Sequence, residues 1–517
     1  MKLPAHRGDR VPVARRFADN WVQYGQLAGL SFLALMVLGT IRLKNDVVWQ
    51  LWIARQLLGG ARLYSQIWEI NPPLWFWSAV PVEWLAVRTG IAAPALLVAV
   101  IVGMAAGSAM LVDRLLEPPC QRQRLCLMAL LFVAVLIVPL AETGQREQLT
   151  LITSLPYAAL IARRHAGSAT PVALAVTIGL IGAYGFALKH YFLTIPVGLE
   201  LWLGWHLRRA WRPWRPELLV LMTAAVAYAG CILAFAPDYL TVMVPMVRTA
   251  YFALDAPPLV MLVRPPVLFW VTCAASLAVL RTGSRAATSA TMAAGGRAML
   301  IPTAGFALAY WFQHKGWGYH AIPVTGAMTV VVGMHMLRLR RRIPIATCAI
   351  LIAWAVFSGH DALQQDAYTH TFIDRVPKGE AVFIGTTDPG VAWPAPERRH
   401  LIWVSRTYSL WPAVAIITAQ DRGAVTPALH RLADTVVTAT SQDIRCTPPW
   451  LIQIDRIGAR PGDPEGLGLK NLLFRDEALR RFVADHYDPL PGTADAVAWQ
   501  RRGHVAGMAG PLCRTIH

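Results

Sequence analysis

The chain has 517 residues, 55% of them hydrophobic and only 15% charged, with a mean hydropathy of +0.43. Together with repeated apolar runs of about 17 to 25 residues, this balance excludes an ordinary soluble enzyme and marks a polytopic membrane protein. The formal charge of +18 would suit nucleic acid, but the basic residues fall in short clusters between apolar runs, the positive-inside pattern, so no nucleic-acid partner is expected.

Residues 1–23 form a basic, cytoplasmic N-terminus (Lys2, Arg7, Arg10, Arg15, Arg16). No small-residue cleavage site follows a short apolar core, so the apolar segment from about Tyr24 to Arg42 reads as a retained first helix. The stretch NDVVWQLWIARQLLGGARLYSQIWEINPP at 45–73 follows directly. Val48, Leu51, Trp52 and Leu58 repeat at three and four while Gln50 and Gln56 fall elsewhere, which predicts a helix lying on the membrane. Asp46 is its predicted N-cap, Gly59-Gly60 end it and Pro72-Pro73 close the loop. An acid therefore stands at the water–lipid boundary.

Alternation of basic clusters with loops of little positive charge predicts crossings near 92–113, 125–142, 149–163, 171–187, 192–207, 217–236, 265–281, 298–312, 321–337 and 343–358. Residues 73–88 carry Pro81 and Glu83 and would invert every later cluster if they crossed. They read as a juxtamembrane or re-entrant piece, which leaves about eleven spanning helices in a transmembrane module over 24–358, with a first outward loop at 42–91. From 359 to 517 charges and prolines rise and an outward α/β domain is predicted, with short strands at Ala381–Gly385, His400–Val404, Thr435–Thr438 and Trp450–Ile454. GTTDPG at 385–390 lacks a phosphate-binding glycine pattern. Cys446 and Cys513 both fall in this domain, where an oxidising periplasm would permit a disulfide. No cysteine has metal-ligand spacing.

Ionisable groups near bilayer depth are costly, so their positions carry information. The outward loops hold Asp46, Arg55, Glu69 and Asn71, then Glu142, Arg146 and Glu147 in ETGQREQ, Lys189-His190, and His314, Lys315 and His320 in FQHKGWGYH. Each alone is also explained as a capping acid, a local ion pair, a snorkelling lysine or an interfacial histidine. Together on one face they suit transfer from a lipid phosphate sugar: cations hold the phosphate and a carboxylate takes the acceptor proton. A transporter for an anionic substrate would place its charges near mid-membrane with repeat symmetry, and neither is seen.

These features resemble the membrane-embedded glycosyltransferases of the GT-C fold, in the branch of the protein O-mannosyltransferases and the bacterial aminoarabinose transferase that modifies lipid A. The likeness rests on an Asp opening the first outward loop, an Arg nine residues on in ARQLLGG, the YxxIWEINPP segment, GQRE, LKHYF and QHKGWGYH, and covers about 24–360. Where relatives carry an acidic pair this chain has Asp46-Val47, and where they commonly carry a phosphate-contacting lysine it has Asn71. The resemblance implies an inverting transfer from a polyprenyl-phosphate-linked monosaccharide, in a bacterial inner membrane with a periplasmic active site, to a glycan, lipid or protein acceptor. It also implies no nucleotide sugar, no cofactor and no catalytic metal. Asp46 is the expected general base. Arg55, Arg146, Lys189 and Lys315 are the expected phosphate ligands, and Glu69, Asn71, Glu147, His190, His314 and His320 the expected positioning groups. A flippase for a lipid-linked sugar and a non-catalytic envelope assembly factor remain as alternatives.

Overall fold

A computed structural model describes residues 13–264, 266–267, 269–271, 273–274, 289–338, 372–456, 468–507 and 513. The expected crossing at 343–358, most of that at 265–281, and the boundary at 358/359 lie outside the described residues. Helices α1 (Val13–Leu38), α2 (Asn45–Leu58), α3 (Leu74–Thr89), α4 (Ala93–Leu116), α5 (Gln121–Phe132), α6 (Arg146–His165), α7 (Val172–Ala187), α8 (Thr194–Leu207) and α9 (Pro216–Phe235) are followed by α10 (Leu300–Gln313) and α11 (Gly318–Arg338). Four described helical stretches are long and apolar enough to cross a membrane: Trp21–Leu38, Ala93–Leu116, Pro216–Phe235 and Gly318–Leu337. At about 1.5 Å per residue the 24 residues of α4 reach about 36 Å, beyond a hydrocarbon core of about 30 Å.

The bundle is built round α6. Every side chain from Arg146 to Ala162 is buried. Helix α7 reaches it through glycine: a Cβ on Gly185 would sit 3.3 Å from Thr150 Cα, and Thr150 Oγ1 instead donates to Gly185 O at 3.0 Å. Such small-residue contact is how helices approach closely in lipid. By contrast α9 buries only Glu217 and exposes its apolar flank. Helix α5 runs into a π-turn at Val133–Ile137 and stops at Pro139, so the expected crossing at 125–142 ends in a short 3-10 turn, Leu140–Glu142.

The stretch after the first apolar segment differs from its sequence-based expectation. Lys44 is the N-cap of α2 and Asp46 lies in its first turn. The helix does not lie on lipid: Val47, Trp49 to Ala54 and Gln56 are all buried. Gln50, expected on the wet face, donates to Trp75 O at 2.6 Å. Helix α3 packs along α2, and Trp393 of the α/β domain meets Trp52 of the stripe that hydrophobic periodicity alone assigns to the membrane, while Leu58 stays exposed. Helix α3 spans the 73–88 run, with Pro81 inside it and Glu83 paired to Arg55.

Beyond residue 372 a five-stranded sheet is ordered β2–β1–β3–β5–β4, from β1 (Ala381–Gly385), β2 (Ile402–Trp403), β3 (Leu451–Asp455), β4 (Tyr487–Pro489) and β5 (Ala496–Arg501). Strands β2, β1 and β3 are parallel, with Val382 opposite Trp403 and Leu451, while β5 is antiparallel to β3 and β4. All five residues of β1 and of β3 are buried, as parallel strands covered on both faces require. Between β2 and β3 run α12 (Pro412–Asp421) and α13 (Pro427–Cys446). The expected strand at Thr435–Thr438 is part of α13. Thr426 caps that helix by accepting from Leu429 N, Pro427 sits at its start, and Leu432, Ala433, Val436 and Val437 form one buried stripe, so helical periodicity outweighs β-branching. Cys446, the last residue of α13, is disulfide-bonded to Cys513 across a Cα separation of 5.4 Å.

The domain is seated on the first outward loop. Trp49 stacks on Trp52 and Tyr408 at 4.5 and 5.1 Å and meets Trp393 edge-on at 5.0 Å. Trp68 N donates to Arg406 O at 2.7 Å, and Arg55 bridges Glu83 to Glu397 at 3.4 and 3.0 Å.

Candidate active site

At this seam lies a cavity of about 450 Å³, walled by Asp46 and Trp49 of α2, the 68–71 turn, Trp75 of α3, Glu142 to Arg146, Tyr251, Trp317 to Tyr319, and the loops at 387–389 and 408–411. The turn before α6 places the chemistry. Gly144 has φ +97°, and a Cβ there would lie 2.7 Å from Val47 Cγ1, so Val47 is buried against the turn. That contact sets Asp46 beside Gln145, whose Nε2 donates to Asp46 Oδ2 at 3.1 Å and lies 3.5 Å from Glu142 Oε2. Lys44 is ion-paired to Glu142. A second carboxylate thus stands near Asp46 across Gln145: Glu142, which the sequence groups with the outward-loop charges but to which it assigns no role. Tyr408, also unanticipated, lies against Asp46. Burial first, then that carboxylate, hold its phenol well above its usual range.

Arg146 opens α6 with a guanidinium stacked 4.4 Å above the Trp75 ring, and only 2% of the residue is exposed. Its Nε and Nη1 have no hydrogen-bond partner. Buried guanidinium donors are normally satisfied, so these two stay available to an acceptor entering the cavity. Glu69 faces the same cavity and accepts from Trp49 Nε1 at 2.8 Å and from Asn71 N and Nδ2 at 3.0 and 2.6 Å. Burial raises its carboxyl pKa, and Arg146 opposes the shift.

The other residues singled out in the sequence fall elsewhere. Glu147 is fully buried behind the cavity wall and pairs with Lys189 at 2.5 Å, while Lys189 also reaches Gln313 Oε1 at 3.0 Å and His320 Nε2 at 3.3 Å. Burial pushes Lys189 down to about 8, with Glu147 opposing. Lys315 donates to Tyr251 O at 2.7 Å and Asp255 Oδ1 at 2.5 Å, and His314 caps α10 in a left-handed conformation. Arg55 is held by its two glutamates outside the cavity. His190 lines a separate, larger cavity of about 1100 Å³ between α7, α8 and α9, whose walls are almost wholly apolar and run from Pro72 and Tyr239 to Arg208 and Trp211.

Over 95% of this chain and 100% of the other, the structure matches the crystal structure of ArnT from Cupriavidus metallidurans bound to undecaprenyl phosphate, with a TM-score of 0.53 at 13% identity. The two share a fold. It is the GT-C type anticipated from the sequence. The apo-state structure of the same ArnT aligns with a TM-score of 0.43 at 12% identity over 93% of this chain and 98% of that one. No family model and no curated protein sequence matches the chain.

Proposed function

We propose that the chain is a bacterial inner-membrane glycosyltransferase that moves a monosaccharide from a polyprenyl-phosphate donor onto a periplasmic acceptor. The observation that carries this is one cavity holding a carboxylate, Asp46, and a buried guanidinium with two unpartnered N–H groups, Arg146. The ArnT in the matching structure is bound to undecaprenyl phosphate, and the apolar groove between α7, α8 and α9 offers a comparable lipid tail a path in this chain.

In the proposed step the acceptor oxygen bonds to the anomeric carbon from the face opposite the phosphate. The carbon–oxygen bond to phosphate breaks, its electron pair leaves with the phosphate, and configuration inverts. Asp46 takes the acceptor proton, and Gln145 and Tyr408 orient its carboxylate. Arg146, buried and with two free donors, stabilises charge growing on the departing phosphate. Lys189, Glu147 and His320 support Arg146 from behind rather than touching substrate. The apolar groove would equally serve a carrier of lipid-linked sugar, which forms no glycosidic bond. Asp46→Asn, assayed in membranes supplied with lipid-linked donor, should cut transfer by about 10²–10⁴-fold while expression and donor binding persist. Wild-type turnover in that variant would reject the mechanism, and translocation without a glycosylated product would favour the carrier.

A further inference from the structure

The proposed step draws only Tyr408 from one wall of the cavity. The loops after β1 and β2 leave the carboxyl edge of the parallel strands, the edge at which open α/β sheets bind ligands. They bring Thr387, Asp388 and Pro389, and Tyr408, Ser409 and Trp411, into the reaction cavity. Asp388 Oδ1 accepts from Gly390 N at 2.8 Å, which fixes this carboxylate at the rim. Tyr251 stands edge-on to both Trp411 and Trp317, with ring centroids 5.8 and 6.4 Å away, and makes an aromatic corner beside it.

Aromatic faces next to a carboxylate and hydroxyls complement a sugar ring, whose C–H face packs on an indole while its hydroxyls donate to fixed acceptors. Asp46, Glu69, Glu142 and Asp388 outnumber the cavity's cations, Lys44 and Arg146, so with a phosphate on Arg146 a second anion would be repelled. An extended peptide would need a sheet edge or long groove to satisfy its backbone, and this cavity of about 450 Å³ offers neither a free strand edge nor a long groove.

We propose that the carboxyl edge of β1 and β2 is the acceptor subsite and that the attacking hydroxyl is carried on an uncharged or cationic carbohydrate ring. Trp411 packs on its face, and Asp388 and Ser409 hold its hydroxyls. The assignment rests on the transferase function proposed above, which sets the donor phosphate on the opposite wall.

The test uses the full-length chain in detergent. Saturation-transfer NMR with methyl β-glucopyranoside should show ring-proton signals that fall about tenfold in Asp388→Asn, Ser409→Ala and Trp411→Leu, a loss typical of one removed contact. Binding of farnesyl phosphate, read by thermal shift, should survive in all three and vanish in Arg146→Ala; the two milder variants keep the test alive should Trp411→Leu fail to fold. Farnesyl phosphate bound by the wild type with no glycoside signal, or with an acetylated seryl peptide saturated instead, would overturn the carbohydrate subsite and leave the donor assignment intact. No farnesyl phosphate binding by the wild type would overturn both.

Discussion

Of the four cations singled out in the sequence, Arg146 is the one that lines the cavity. Removing it in Arg146→Ala should lower kcat about 10²–10³-fold, the usual cost of losing a preorganised charge stabiliser. Arg146→Lys should recover only part of this, since an ammonium lacks the planar fork; single-turnover rates with lipid-linked donor check both. Lys189 adds a pH dependence. Its folded pKa of about 8 lies below the ordinary 10.5, so its charge, and with it the pairing that steadies Glu147 behind Arg146, is complete below 8 and lost above it. Turnover should therefore fall with an apparent pKa near 8, and Lys189→Arg should move that limb upward in a pH–rate profile. The stability sign is the opposite: between about 8 and 10.5 the unfolded chain binds more protons, so this group makes the fold more stable as pH rises, and the activity loss is not unfolding. Sequence placed Arg55, Arg146, Lys189 and Lys315 on one face of the membrane but could not rank them. What separates Arg146 is that no acid has taken its Nε and Nη1, a fact of three-dimensional packing.

Among elements, the turn Thr143–Gln145 is the most sensitive. Gly144 combines a positive φ with close contact to Val47, so Gly144→Ala should cost about 1–3 kcal/mol from backbone strain and should also shift Asp46, the residue just before Val47. A lowered unfolding midpoint together with reduced kcat is expected; a lowered midpoint with full kcat would show that the turn does not position the acid. The length and apolarity that let α4, α9 and α11 cross a membrane were legible because bilayer thickness imposes both directly on sequence. The environment of α2 was not, because its apolar stripe reports that a face is covered and not by what. For the same reason GTTDPG looked inert: Thr387 and Asp388 gain meaning only when the domain is docked and their loop enters the cavity.

At the scale of the whole molecule, transmembrane module and α/β domain share one buried aromatic seam. Trp393 lies at its centre, 2% exposed, between Trp49, Trp52 and Trp403. Trp393→Ala should cost about 3–5 kcal/mol by the large-to-small rule. Because the lost contacts with Trp49 and Trp52 cross between the modules, limited proteolysis should release the α/β domain faster from the variant. The seam was invisible in sequence, since tryptophans 344 residues apart carry no local signal of meeting.

Asn71 and Pro72 share a peptide bond yet face different cavities, one lined by charged groups, the other almost wholly apolar and flanked by exposed Val197, Leu201, Trp205 and Met222. For the lipid-linked donor proposed above, that single bond would be a fixed stop. A lipid entering sideways would be gauged from its phosphate inward, and the far end of its tail would trail unmeasured into the bilayer. Discrimination would then fall on the head alone, and donors differing only in isoprene count would compete on nearly equal terms.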